Sequence, residues 1–238
     1  MYMGLVKSSL TFSLYAQVIT TFLGFIGLIF KLRPRDLILR EILTLETIVQ
    51  VIEFTFYFWF SYMYKKNVDN TDIAKYRYYD WVFTTPIMLL NTIAYFEYNS
   101  ILDSENNSSG NASNNARLTM IDFIQNNQNN IILITVYNFL MLLVGYLQEI
   151  GLINIWLSSV IGFYFLYLTF EIIYVHYASK SKNNLPIFWT MAIIWSLYGV
   201  AAMFESRYKN FAYNILDIFS KNFYGLYITY RIYENRIQ

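Results

Sequence analysis

Several ionisable residues lie inside apolar stretches of this chain, where a charge is costly to keep. Lys221 lies near the middle of an apolar run over 211–233, which also carries Asn214 and Asp217. A desolvated lysine is a good amine nucleophile, suited to a Schiff base with an aldehyde. Once protonated, that Schiff base is a buried cation and needs a carboxylate beside it. Asp217 stands one helical turn before Lys221, and Asp80, in another apolar run, can face it from a second helix.

Two more stripes carry polar groups at helical spacing. Asp80, Thr84 and Asn91 stand at i, i+4 and i+11, and Glu46, Gln50, Glu53 and Tyr57 stand at i, i+4, i+7 and i+11. In lipid each ionisable group costs several kcal/mol unless it is paired or hydrated, so such stripes mark functional sites by default. Burying the three polar faces against one another gives a polar interior.

The elements that must hold these stripes are membrane spans. The chain is 56% hydrophobic and 20% aromatic but only 14% charged, too apolar for a soluble domain of 238 residues. Apolar runs long enough to cross a bilayer fall at about 10–31, 38–64, 76–98, 131–149, 152–178, 185–205 and 211–233. The expected fold is an all-α membrane protein, a seven-transmembrane helix bundle forming one domain over 1–238. The expected location is multi-pass in a plasma membrane or a host-cell membrane, with lipid as a partner. "MYMGLVKSS" has no basic n-region and runs directly into the first span. Residues 99–130, rich in Asn and Ser, read as a solvated loop. Within it, "RLTMIDFIQ" has a weak amphipathic pattern.

Positive charge sets the orientation. Lys31, Arg33, Arg35 and Arg40 follow the first span, and Lys180 and Lys182 follow the fifth. These connections therefore face the cytosol, with the N-terminus outside and the C-terminus cytosolic. The 99–130 loop is then cytosolic, and sequons at Asn106, Asn107 and Asn111 stay unglycosylated. A net charge of +1 offers no field for nucleic acid, and the absence of cysteine excludes a disulfide scaffold, a thiolate metal site and a cysteine nucleophile. A single His is too few for a His-based metal centre. No metal and no enzymatic turnover are expected.

Three motifs carry a family resemblance. "RYYDWVFTTPIML" resembles the third-helix signature of microbial (type 1) rhodopsins, "DIFSKNFYG" their seventh-helix lysine motif, and "IWSLYG" their sixth-helix Trp and Tyr segment. They occur in the right order and in the right spans. The resemblance implies all-trans retinal bound covalently at Lys221 as a protonated Schiff base. Asp80 and Asp217 would be its counterions, with Asp80 the proton acceptor, Arg77 on their extracellular side and Thr84 beside Asp80. The retinal pocket would be formed by Tyr78, Trp81, Thr85 and Met88, by Met141 and Gly145 from "NFLMLLVG", by Trp156, Ser159 and Phe163, and by Trp195 and Tyr198. Asn138 would support Thr85, and Tyr57 the seventh-span aspartate.

The departures from the family pattern bear on function. Gly199 replaces the proline that usually follows the sixth-helix tyrosine. Asn91 occupies the position at which outward proton pumps carry a carboxylic acid, and an amide cannot release a proton, so Glu97 or Glu171 would have to substitute. "LETIVQVIEFTFYF" resembles the glutamate-bearing second helix of channelrhodopsins and of the rhodopsins of large DNA viruses. Glu46 and Glu53 would lie about 10 Å apart along it. Asn222 matches a channelrhodopsin gate residue that hydrogen-bonds a second-span glutamate. For the first span, only Gln17, Thr20 and Thr21 are available as gate residues. The first expectation is a light-gated cation channel with Glu46, Glu53, Arg77, Asn91 and Asn222 on its ion pathway. A light-driven outward proton pump is the second and a sensory photoreceptor the third. Cations or protons would be the transported partners, with a homo-oligomer left open.

Overall fold

A computed structural model describes residues 2–65, 70–107 and 118–237, and among these it is almost wholly helical. The helices are α1 (Tyr2–Ile29), α2 (Leu37–Lys65), α3 (Asn70–Asn107), α4 (Met120–Asn126), α5 (Gln128–Glu149), α6 (Ile155–His176), α7 (Leu185–Ala202), α8 (Ser206–Asp217) and α9 (Phe223–Asn235). A π-helical turn, Ile218–Asn222, joins α8 to α9 into one rod. With α4 set aside as a short connecting helix, the rods number seven, in agreement with the spans read from the sequence. The N-terminus of α1 and the C-terminus of α9 lie on opposite faces, called below the N-terminal and C-terminal faces.

The bundle is inside-out relative to a soluble protein. Phe12, Ile19 and Phe22 of α1, Phe83 of α3, Val160 and Tyr164 of α6 and Ile193 of α7 are exposed. Gln17, Glu46, Gln50, Glu53, Asp80, Asn91, Asp217 and Lys221 are buried. Water rewards the reverse arrangement; a hydrocarbon surround rewards this one. Four stretches, Val6–Ile29, Gln128–Glu149, Ile155–Lys180 and Leu185–Ala202, are long and apolar enough to cross a membrane by length and composition. The other three rods, α2, α3 and α8–α9, carry Glu46, Glu53, Arg77, Asp80, Asp217 and Lys221 of the interior.

Among its described residues, the stretch expected as a loop over 99–130 is largely helical. Helix α3 continues to Asn107, and α4 occupies Met120–Asn126. The polar composition does not end α3 because tertiary partners hold its last turns. Tyr98 donates to Asp36 Oδ1 at 2.7 Å and Asn99 to Asn184 Oδ1 at 2.9 Å. Asp103 accepts from Asn183 Nδ2 at 3.0 Å and from Ser181 Oγ. In α4, Thr119 caps the helix by accepting from the Asp122 amide at 3.1 Å, while Met120 and Phe123 are buried. The sequons at Asn106, Asn107 and Asn111 fall on side chains or residues outside the described ones.

Candidate functional site

The site is built around Lys221, in the wide turn between α8 and α9. Its Nζ lies 2.9 Å from Asp80 Oδ2, 3.3 Å from Glu53 Oε1 and 3.7 Å from Asp217 Oδ1. Three rods thus each deliver a carboxyl group to one amine. Asp80 accepts a hydrogen bond from Lys221. Glu53 is close enough for an ion contact but off the hydrogen-bond axis, so both of its oxygens lack a hydrogen-bond partner.

Asp217 is held from several sides. Its Oδ1 accepts from Tyr198 at 2.6 Å, and its Oδ2 accepts from Tyr57 at 2.6 Å and from Arg77 Nη1 at 3.2 Å. Arg77 is itself buried between the rings of Tyr57, Phe60 and Tyr213, with centroids 5.2–5.7 Å from its guanidinium carbon. It also donates to Asn210 Oδ1 at 3.4 Å and to Asn214 Oδ1. Thr84 donates back to the Asp80 carbonyl at 3.0 Å and not to the carboxylate. Nearer the N-terminal face, Lys209 and Glu149 form a second buried ion pair at 2.6 Å, joining the start of α8 to the end of α5.

Beside Lys221 opens a cavity of about 830 Å³ including its mouth. Helix α3 contributes Tyr78, Trp81, Thr85 and Met88, α5 contributes Met141 and Gly145, and α7 contributes Trp195 and Tyr198. Asn138 donates to Thr85 Oγ1 at 2.8 Å behind this wall. Ser159 and Phe163 of α6 line the cavity, but Trp156 does not: it is 70% exposed on the first turn of α6. Ser158 and Gly162 line it in addition. Helix α6 is apolar on every side, so its pattern carries no signal for which face turns inward. Gly199 has a packing reason: a Cβ there would stand 2.7 Å from the Phe163 ring.

A buried polar seam runs from this cluster toward the C-terminal face between α1, α2, α3 and α9. Gln17 and Asn222 exchange two amide hydrogen bonds, of 3.0 and 2.8 Å, and Asn222 also donates to Thr20 at 2.6 Å. The expected contact of Asn222 with a second-span glutamate is replaced by this clamp to α1. The resemblance pointed to a second-span glutamate as the partner of Asn222, but the packing of α1 on the Ile218–Asn222 turn supplies Gln17 and Thr20 instead. Asn91 donates to Glu46 Oε2 at 3.3 Å, one carboxyl facing the amide from the next helix. Between Glu46 and Glu53 lies Gln50, whose Nε2 would sit 1.9 Å from a Cβ on Gly225, so only glycine admits it there. Buried oxygens of Glu46, Gln50, Glu53 and Asn91 have no hydrogen-bond partner within the protein. Glu97 instead pairs with Lys180 at 2.8 Å, and Glu171 accepts from Tyr167 at 3.2 Å, both in exposed contacts, whereas Asn91 is buried.

Sequence reasoning placed Asn214 on the polar face of the last span without giving it a role, and left Asn210 and Tyr213 out of the site. The signal was present: Asn210 and Asn214 precede Asp217 by seven and three residues on one helical face. Ser158 and Gly162 had no such signal.

The similarities to known proteins follow the same outline. A family model described as "Bacteriorhodopsin-like protein" matches residues 8–235. The crystal structure of the viral rhodopsin OLPVRII is similar over 97% of this chain and 98% of that one, with a TM-score of 0.79 and 28% identity. The rhodopsin of Exiguobacterium sibiricum (TM-score 0.70, 15% identity, 98% and 96% covered) shares the fold. So does bromide-bound halorhodopsin from Halobacterium salinarum (TM-score 0.67, 14% identity, 98% and 95% covered). No curated protein matches.

Proposed function

This chain belongs to the bacteriorhodopsin-like family, a family of multi-pass membrane proteins, and from that premise we propose that it is a retinal-binding photoreceptor acting as a light-gated cation channel. The residues fit the chromophore on their own chemistry. A buried primary amine borders a cavity walled by aromatic and other mostly apolar side chains, with carboxyl groups next to the amine. Lys221 would hold all-trans retinal covalently, between Trp81 and Trp195. When bound, retinal supplies the absorption of visible light and the isomerisation that follows.

The rest falls to the chain's own groups. Asp80 Oδ2, 2.9 Å from the Lys221 nitrogen, is the acceptor for its proton. Asp217, tied by Tyr57, Tyr198 and Arg77, is the fixed counter-charge. Two cations, Lys221 and Arg77, face three carboxyls, so local neutrality leaves one carboxyl protonated. Glu53 touches no arginine and accepts no hydrogen bond, which favours it as that carboxyl.

The observation that carries the channel reading is the seam. Its unpartnered buried oxygens are acceptors without donors, an arrangement that water or a cation satisfies. Glu46 would repel anions along it, Glu53 would offer it a polar neutral group, and the Gln17–Asn222 clamp would interrupt it in the dark. With the N-terminus outside, the seam opens toward the cytosol. A second reading, an outward proton pump, is favoured by the hydrogen bond from Asn91 to Glu46, which brings a carboxyl to the point where the third span lacks one.

Whole-cell photocurrent against voltage, in two external cation concentrations, separates the two readings. A current that reverses with the cation gradient supports the channel; an outward current that never reverses sinks it in favour of the pump. Lys221→Ala with added retinal is expected to give no visible absorption band, and a coloured pigment from that variant would overturn the chromophore assignment.

A further inference from the structure

Tyr95 of α3 and Tyr227 of α9 meet hydroxyl to hydroxyl at 2.7 Å, their rings 5.7 Å apart and nearly perpendicular. The pair divides two groups of buried polar atoms. One turn inward lie Glu46 Oε1, Asn91 Oδ1 and the Tyr224 hydroxyl, all without a hydrogen-bond partner. One turn outward, toward the C-terminal face, lie Asp36 Oδ2 and Arg231 Nε, also unpartnered. Tyr98 carries the outer group back to α3 through its bond to Asp36. Buried polar atoms left without protein partners are the places where water enters a structure. Here they stand on both sides of a single hydroxyl contact.

That contact also has somewhere to go. Tyr227 borders a groove between α7 and α9 of about 650 Å³ including its open mouth, lined in part by Thr190, Met191, Trp195 and Phe223. Tyr95, by contrast, is only 1% exposed and packed in the core. Of the two rings, Tyr227 is the one with space to swing. The groove reaches Trp195, which also lines the cavity beside Lys221, so a movement of that tryptophan reshapes the space that Tyr227 would occupy.

We propose that the Tyr95–Tyr227 hydroxyl pair is the cytosolic closure of the seam, a gate that opens when Tyr227 leaves Tyr95 for the α7–α9 groove. The proposal rests on the orientation and transport path of the preceding section. Its test does not require that the path carry a particular ion.

The chain has no cysteine, so one introduced thiol reports without background. Tyr224→Cys puts that thiol immediately inside the pair. Its reaction with a charged, membrane-impermeant thiosulfonate, added on the side of the C-terminal face of protein in membranes, is followed in darkness and in light. Adding Tyr95→Phe or Tyr227→Phe is expected to speed the dark reaction by about fivefold, the factor one neutral hydrogen bond is worth. The double Phe variant should gain nothing further, since either change removes the same bond. Illumination should speed the reaction of the Tyr224→Cys protein and have less effect on the Phe variants. Equal dark rates in all four proteins would overturn the gate. If one Phe variant fails to form pigment, the other removes the same contact and still decides. The channel reading stands or falls separately, on whether the photocurrent of the unaltered chain reverses.

Discussion

The Lys221 Nζ and the Glu53 carboxyl are 3.3 Å apart, deep in the bundle and with neither side chain more than 2% exposed. A carboxyl from α2 therefore reaches the same amine as the aspartates of α3 and α8. If Glu53 is the protonated member of the three, its removal changes no charge at Lys221. Glu53→Gln should shift the absorption maximum little, while Asp80→Asn, which deletes the hydrogen-bonded anion, should shift it strongly to longer wavelength. Visible spectra of the two variants at neutral pH check this. A large shift for Glu53→Gln would mean that Glu53 is ionised.

Arg77 is buried among three aromatic rings and bonded to Asp217, Tyr57, Asn210 and Asn214. Arg77→Ala leaves Asp217 without its nearest guanidinium and empties a large volume. A cost of about 3–5 kcal/mol is expected, the range for breaking a buried pair by removing one partner. Denaturant unfolding of the detergent-solubilised protein measures it. Arg77→Lys should recover only part, because an ammonium cannot reproduce the fork that meets Asp217 and both asparagines.

Gln17 and Asn222 hold each other through two reciprocal bonds. In a double-mutant cycle of Gln17→Ala and Asn222→Ala, the coupling energy should be about 2 kcal/mol, two hydrogen bonds at ~1 kcal/mol each. Coupling near zero would mean that the clamp contributes nothing to holding α1 against α9.

Gly225 and Gly162 form a matched pair for the opposite test. A Cβ on Gly225 would fall 1.9 Å from Gln50 Nε2, whereas one on Gly162 would meet nothing within 4 Å. Gly225→Ala should displace Gln50 and destabilise by about 1–3 kcal/mol, the usual cost of overpacking. Gly162→Ala, in the cavity wall, should stabilise the retinal-free protein by about 0.4–1 kcal/mol through the unfolded chain. Thermal unfolding of the two variants side by side distinguishes crowding from a general intolerance of change.

How much of this was legible without coordinates differs from residue to residue. The seven rods follow from run length, because a bilayer demands about 20 apolar residues per crossing. The meeting of Lys221 with Asp80 and Asp217 follows from placing unaffordable charges together. Trp156 was misread because a helix apolar all round has no inward face in its pattern. The extension of α3 past Tyr98 was misread because Asn and Ser look like loop until Asp36, Ser181, Asn183 and Asn184 arrive from distant sequence to bind them. Glu53 was expected on the ion pathway, and nothing in its spacing indicated that it would also reach Lys221. Periodicity shows which side of a helix is polar; it does not say how far a long side chain extends across the gap.

The wide turn at Ile218–Asn222 has a consequence of phase. It spends an extra residue within one rod, so everything after it is rotated by about 100° against an unbroken helix. Asn210, Asn214 and Asp217 before the turn address Arg77. Asn222 and Gly225 after it address Gln17 and Gln50 on other helices. Two sections of one rod can therefore be tuned as separate dials, with Lys221 on the hub between them: a change in the reading of one section need not be inherited by the other.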